Sequence, residues 1–405
     1  MLGAGKVVKG AVDANHIHAE TKQMPLRADY INQFLGICLP TQEMCDILES
    51  LDFDVDDDLM ITVPTFRADI ECDADIAEEI ARFYGYDKIP TTLLYGLTTQ
   101  GIWSEEQKAE KRVHFTLLSQ GLNEVITSSF VSPKGFDKIR LPQESSFRTC
   151  VKISNPLGED TSLMRTSMIP SIMDIFSRNY NFRNSSCGIY EIGTVYLPNS
   201  DSSKLPDEKK IIALGFYNSG DYYRLKGICE ELFKSFGIQD YTVEPQENDP
   251  SFHPGRCAAI SVNERNLATV GQIHPGVCLN YDIDKEVYAA FIDFTLLLQL
   301  ACFEKTYTPL PKFPSVLRDL ALVCDISLPV AKIESCIKEQ AGKLLEKLTL
   351  FDVYTGNQIG ENKKSVAYSL ILRDNHKTLN DREIEEVLSR VLNALKNALD
   401  VSLRK

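Results

Sequence analysis

Apolar positions recur at helical spacing through RADYINQFLG, which Gly36 closes. They recur again in TQEMCDILESLDF, where Met44, Ile47, Leu48 and Leu51 share a face and Thr41 is placed to cap the helix. LMITVPTF reads as a strand, and RADIECDADIAEEIARFYGYDKIP (67–90) begins with carboxylates before passing into a third amphipathic run. This order of helix, helix, strand and helix predicts a small winged-helix-like interaction domain over 25–94. Residues 1–24 are weakly patterned and predict an arm or linker remnant.

Between 95 and 306 the periods mix. SEEQKAEKRVHFTLLSQGL predicts a helix ending at Gly121, NEVITSSFVS a strand, and SMIPSIMDIFSRNYNF a second helix. CGIYEIGTVYL and KKIIALGFYN read as strands joined by the exposed loop PNSDSSKLPDEKK, and AAISVNERNLATVGQI reads as a hairpin turning at Asn263–Asn266. Long antiparallel strands interleaved with helices predict an α+β sheet domain. After the proline-rich YTPLPKFPS, residues 307–405 read as strand, helix, strand, strand, helix and a short closing strand in VSLRK. That βαββαβ order is ferredoxin-like. The chain as a whole is predicted to be α+β and multidomain.

Composition narrows the function. At 405 residues, 43% hydrophobic and 25% charged, the chain has an ordinary globular balance and room for several cores. Its net charge of −14 is uneven: from Tyr307 onward 15 basic side chains face 13 acidic ones, so the first 306 residues carry −16. Nucleic-acid contact, which needs local positive charge, is therefore expected on the last domain. The 11 cysteines include no C-x-x-C pair, which fits reduced thiols and neither a disulfide framework nor a zinc site. The N-terminus lacks the apolar core of a signal peptide. The longest apolar run, 287–302, contains Asp293 and falls short of the roughly 20 residues a bilayer requires. A soluble, cytoplasmic protein is expected.

Six carboxylates, Asp69, Glu71, Asp73, Asp75, Glu78 and Glu79, crowd the start of the third helix. Asp75 and Glu78 have capping-box spacing, and acids in a first turn suit the helix dipole. Glu79 lies one turn after Asp75, and Asp69 in the preceding loop could fold back toward both, which describes oxygen ligands for magnesium. Spacing leaves both readings open, because a cap uses one carboxylate oxygen and leaves the other free. The two His-Pro-Gly triplets at 253–255 and 274–276 predict tight turns at hairpin ends. Trp103, Tyr217, Tyr222 and Tyr223 predict packing. Neither a phosphate-binding glycine loop nor the glycine-rich strand ending in Arg that class II tRNA ligases use for ATP occurs. These features describe a binding or assembly protein. A free-standing nucleic-acid-binding protein is the alternative.

Taken in order, FRADIECDADIAEEIARFYGYDKIP, SNPLGEDTSLMRTSMIPSIM, YEIGTVY, HPGRCAAI, GQIHPGV, KFPSVLRDLALVCD and LFDVYTGNQIGENKKSVAYSLILRDNHKTLNDREI resemble the beta subunits of bacterial phenylalanine–tRNA ligases over residues 25–405. The resemblance implies a winged-helix-like domain, a class II synthetase-like antiparallel sheet domain that has lost catalysis, and a ferredoxin-like domain that receives the tRNA anticodon region. It implies an (αβ)₂ tetramer with an alpha subunit, tRNA(Phe) as partner, and ATP used by the holoenzyme without being bound by this chain. It places magnesium, shared with the alpha subunit, on Asp69, Asp75, Glu78 and Glu79. The family's N-terminal tRNA-binding and editing domains do not fit into residues 1–24, so a portion of the longer subunit is expected. For tRNA contact the candidates are Lys312, Arg318, Lys363, Lys364 and Arg373.

Overall fold

The structure is a computed structural model that describes residues 5, 6, 8–14, 16, 20–201, 203–356 and 359–404. The chain divides into two compact units, Met1–Gly101 and Ile102–Lys405.

In the first unit, β1 (Lys22–Pro25) precedes α1 (Ala28–Leu35), α2 (Thr41–Glu49), β2 (Asp54–Val55), β3 (Met60–Val63) and α3 (Asp73–Tyr84). The strands form an antiparallel sheet with β3 between β1 and β2. Ile31, Met44, Leu48, Ile61, Val63, Ile76 and Ile80 close one core, so each helix buries the stripe its spacing predicted. Gly36 ends α1 in the left-handed region, φ 68°, and donates to Asn32 O. Two expectations need correction. The weakly patterned segment 1–24, expected to be an arm or linker remnant, supplies most of β1, whose four residues include a proline that only an edge strand tolerates and only one apolar side chain to bury, Met24. Thr41 is the first helical residue of α2, and Pro40 holds the cap position.

The second unit opens with α4 (Glu105–Ser119), β4 (Asn123–Glu124), β5 (Phe130–Val131), α5 (Lys134–Lys138), β6 (Leu163–Met164) and α6 (Ile169–Asn181). It continues through β7 (Cys187–Leu197), β8 (Asp207–Tyr217), α7 (Tyr222–Ser235), β9 (Thr242–Pro245), β10 (Phe252–Val262), β11 (Arg265–Ile273), α8 (Pro275–Asn280), β12 (Val287–Asp293) and α9 (Phe294–Leu300). Seven strands form one sheet in the order β4-β7-β8-β12-β11-β10-β9, antiparallel except for β4 with β7. The strand expected at NEVITSSFVS is two short ones, β4 and β5, which join different sheets.

Alternate residues of β8 and β12 feed two cores. Ile212, Leu214, Phe216, Ala290 and Ile292 face α4, α7 and α9, while Ala213, Tyr217, Val287 and Ala289 face α6 and α8. A strand covered on both faces must be apolar at every position, which is why KKIIALGFY and VYAAFID read as continuous runs. The β10–β11 hairpin turns through Asn263 and Glu264, both at positive φ, as expected for a two-residue turn. The His-Pro-Gly expectation holds at neither hairpin end. His253 lies in a register shift of β10 with its Nδ1 accepting from Gly255 N (3.1 Å), and His274 caps α8 with its Nδ1 accepting from Gly276 N (2.9 Å). In both triplets the glycine amide donates to the imidazole two residues before it, inside β10 in one case and at the start of α8 in the other.

Behind α7, Gly237 takes φ +75°, and a Cβ there would lie 1.8 Å from Cys302 O. Gly237→Ala is expected to cost about 1–3 kcal/mol from backbone strain alone, with displacement of residues 301–303 added. A lowered thermal midpoint checks this.

The chain ends with β13 (Val316–Asp325), α10 (Val330–Ala341), β14 (Leu345–Tyr354), β15 (Lys363–Leu372), α11 (Asp381–Leu399) and β16 (Ser402–Leu403). The sheet order is β14-β15-β13-β16, a ferredoxin fold as its pattern predicted. Leu322, Val366, Tyr368 and Leu370 pack under Ile333, Ile337, Val387, Val391 and Leu395 of the two helices. Asn380 caps α11 reciprocally with Glu383.

Candidate metal centre and charged faces

The carboxylate-rich segment runs from the turn after β3 into α3. That helix begins one turn earlier than spacing suggested. Cys72 is the N-cap, and Asp75, in place of Glu78, closes the capping box. Asp75 Oδ2 accepts from Glu71 N (2.7 Å) and Cys72 N (2.8 Å), and these two amides hold its carboxyl below the usual range. The cap occupies one oxygen, so Oδ1 carries none of these bonds.

Glu79 follows one turn later and is 7% exposed. A carboxylate at that depth needs paired charge, and two arginines provide it. Arg67 Nη2 donates to Oε1 at 2.8 Å, and Arg82, three residues along the same helix, donates to Oε2. The same Arg67 fork grips Asp69, with Nε to Oδ1 at 2.9 Å and Nη2 to Oδ2 at 2.6 Å. Arg67 holds Glu79 and Asp69 below their ordinary range, in Glu79 against the opposing effect of burial and with help from Arg82. Glu78 is exposed. Arg27 pairs with Asp73 at 3.1 Å in the first turn of α3.

A depressed carboxyl pKa stabilises the fold above the unfolded value and is lost as pH falls through the folded value. Acidification below about pH 4.5, the ordinary value for Glu79, is therefore expected to weaken the first unit progressively. Urea unfolding followed across that range checks this, and Glu79→Gln is expected to flatten the dependence.

As magnesium ligands, the four predicted residues fit in chemistry and not in arrangement. All are hard oxygen donors, and Asp69 and Glu79 already converge on one cationic group. That group is a guanidinium, however, and among the described residues no three His, Cys, Asp or Glu side chains are gathered as a metal cage. Sequence reasoning missed both arginines. Arg82 stands three residues after Glu79 on α3, a helical spacing at which ion pairs form, whereas Arg67 lies in the turn before the helix, where no helical spacing points to it.

The five predicted basic residues do not form one patch. Along β13 and β15 the two-residue period puts Lys363 and Arg373 on the open sheet face and Arg318 and Lys364 on the helix-covered face. Lys364 Nζ donates to Ile326 O (3.0 Å) and Leu328 O (2.6 Å), tying β15 to the loop between β13 and α10. Arg373 binds Glu346 Oε2 (2.8 Å) and Phe313 O. Both therefore serve the domain's own structure. Arg318 lies 3.8 Å from Asp381, and Lys312 and Lys363 are exposed.

A cleft of about 430 Å³ opens on the α6 side of the seven-stranded sheet, with Val195, Ile211, Phe252 and Phe291 as apolar walls and Lys209, Asp249 and Asp293 as charged groups. Burial raises the Asp249 carboxyl. No helix among the described residues is long and apolar enough to cross a membrane.

Comparison with known proteins finds three successive family matches along the chain. Residues 24–86 match the tRNA synthetase B5 domain, 89–294 the phenylalanyl tRNA synthetase beta chain CLM domain, and 311–404 the ferredoxin-fold anticodon binding domain. The phenylalanine–tRNA ligase beta subunits of Clostridium acetobutylicum and Clostridium tetani are 41% and 43% identical over 406 residues, covering 100% of this chain and 51% of each relative. That of Bacillus subtilis is 34% identical over 418 residues, with 100% and 51% covered. The chain spans about half the length of the curated relatives it matches. With the CLM profile alone accounting for half of the residues, and the other two profiles flanking it in order, the chain belongs to the phenylalanyl tRNA synthetase beta chain family.

Proposed function

We propose that this chain is the non-catalytic assembly and tRNA-binding portion of a phenylalanine–tRNA ligase beta subunit. It pairs with an alpha subunit in an (αβ)₂ complex in the cytoplasm, and the complex attaches phenylalanine to tRNA(Phe) with ATP. The observation that carries this reading is the succession, in order along one chain, of the B5 profile at 24–86, the beta chain CLM profile at 89–294 and the anticodon binding profile at 311–404. The working division is a winged-helix-like domain at 25–94, a class II synthetase-like domain at 95–306 and the anticodon-binding domain at 307–405.

The cleft over the seven-stranded sheet supports placing ATP elsewhere. It sets Asp249 and Asp293 against one ammonium, Lys209, and such surroundings oppose a triphosphate. Magnesium is assigned to Asp69, Asp75, Glu78 and Glu79, where it would brace the contact with the alpha subunit and neutralise a carboxylate cluster. For tRNA, Lys312, Arg318 and Lys363 remain the groups whose charge is most available, with Lys364 and Arg373 contributing through the shape of the domain they hold.

The test is phenylalanylation. The chain alone is expected to be inactive, and addition of an alpha subunit together with the rest of the beta chain is expected to give charging of tRNA(Phe). Charging by the lone chain would refute the non-catalytic assignment.

A further inference from the structure

The two His-Pro-Gly triplets carry the same local device, and the sheet brings them together. Phe252 pairs with Ile273, so His253 and His274 each follow directly on neighbouring strands. In each ring Nδ1 accepts a glycine amide, which leaves Nε2 as the N–H donor. Neither Nε2–H has a hydrogen-bond partner among the described residues. Arg140 joins them from the turn after α5. A Cβ at Gly276 would lie 3.2 Å from His274 Nδ1 and 3.6 Å from Arg140 Cδ, so the arginine side chain runs past the imidazole. Burial, Arg140 and His253 together hold His274 below its ordinary range, and no carboxylate offsets them.

The Arg140 guanidinium makes no ion pair or hydrogen bond among the described residues. Acids on the flanking segments are already engaged: Asp137 by Arg148 Nη2 (2.7 Å), Asp249 by Ser251 N (2.9 Å) and Glu286 by Arg256 Nη1 (3.0 Å). Arg140 also holds a left-handed backbone, φ 63°, at the position after the α5 cap where glycine is usual. The turn is pinned there by Ser251 Oγ, which donates to Ile139 O (2.8 Å), and by Asn280 Nδ2, which donates to Lys138 O (2.7 Å). Strain kept in place by its surroundings gathers at ligand sites. The first 306 residues carry −16, so an unmatched cation beside two imidazoles runs against the charge around it. We propose that Arg140, His253 and His274 form a phosphate site, offering three donors, one of them permanently cationic, to the oxygens of a single phosphate group. That group is either a free phosphate ion or a phosphodiester of an RNA backbone, which present the same oxyanion. These residues lie within the CLM match at 89–294 and outside the anticodon-binding match at 311–404, so the site adds to the proposed tRNA contact and does not depend on it.

The chain has 6 histidines, few enough to follow singly by imidazole ¹H–¹⁵N resonances in the full chain, with His253→Asn and His274→Asn as assignments. Titration with inorganic phosphate is expected to shift the His253 and His274 signals and leave those of His114 and His376 unmoved. Arg140→Gly removes the guanidinium and relaxes the turn. It is expected to keep or raise the thermal midpoint while weakening phosphate binding about tenfold. Arg256→Gln, which removes a cation already paired, is expected to change that affinity little. The dinucleoside monophosphate UpU separates the sources: movement of the same two signals by UpU assigns the site to RNA phosphodiesters, and movement by inorganic phosphate alone assigns it to free phosphate. Unmoved His253 and His274 signals at tens of millimolar of both probes overturn the site. So does unchanged affinity in a folded Arg140→Gly chain. Equal shifts with acetate at matched ionic strength would mean an adventitious ion only, and would overturn it as well.

Discussion

Glu191→Ala is expected to destabilise the second unit by about 3–5 kcal/mol, a large part of the stability of an ordinary domain. Glu191 and Arg165 are 3% and 2% exposed and pair at 3.3 Å. Thr127 joins them, donating its hydroxyl to Glu191 Oε2 (2.6 Å) and accepting from Arg165 Nη1 (2.7 Å), while Arg165 Nε donates to Thr194 O (2.8 Å). A Cβ at Gly193 would lie 2.5 Å from Arg165 Nη2, so the glycine makes room for the guanidinium. Removing Glu191 strands a buried positive charge, and the network fails as a unit. Replacing both partners by apolar residues is expected to recover much of the loss, because no uncompensated charge remains. Urea unfolding of the two variants checks this; a single substitution costing less than about 1 kcal/mol would mean the pair is hydrated in solution.

Glu78→Gln with Glu79→Gln is expected to abolish stable association with the alpha subunit, since the proposed ion would lose two of its four ligands. The single variants separate assembly from folding. Glu78 is exposed, so Glu78→Gln is expected to leave unfolding unchanged while weakening association. Glu79→Gln neutralises a carboxyl that two arginines share, so it is expected to lower stability as well. Loss of association in Glu78→Gln with an unaltered thermal midpoint is the informative outcome. Unchanged association in the double variant would leave these acids only their roles in capping and ion pairing.

The ferredoxin fold was legible because every level agreed there: two-residue alternation in β13 and β15, helical stripes in α10 and α11, and a capping pair at Asn380 and Glu383. The antiparallel strands β7, β8, β10 and β11 were legible from a different signal, apolar runs bounded by the turn-forming segments at 198–206 and 263–264. Helix α7 carries Leu225, Ile228, Cys229, Leu232 and Phe233 at helical spacing behind an Asp221 cap, but its opening tyrosines read as packing aromatics and mask the start of that stripe. Strand β1 was hidden because its partner, β3, lies some 40 residues away and its own residues scarcely alternate. The six carboxylates stood out, yet spacing could not tell which oxygens were already engaged. That depended on Arg67 folding back across 12 residues to Glu79. The buried Arg165–Glu191 pair left only a faint trace, one charge in each of two otherwise uncharged runs, LMRTSMIPS and CGIYEIGTVY.

The central claim is that this chain works by assembling with an alpha subunit. Size-exclusion chromatography with light scattering on the co-expressed chain and alpha subunit, in magnesium and then in EDTA, tests it directly. The account predicts a single heteromeric species in magnesium that EDTA loosens. Two separately eluting chains in magnesium would contradict it.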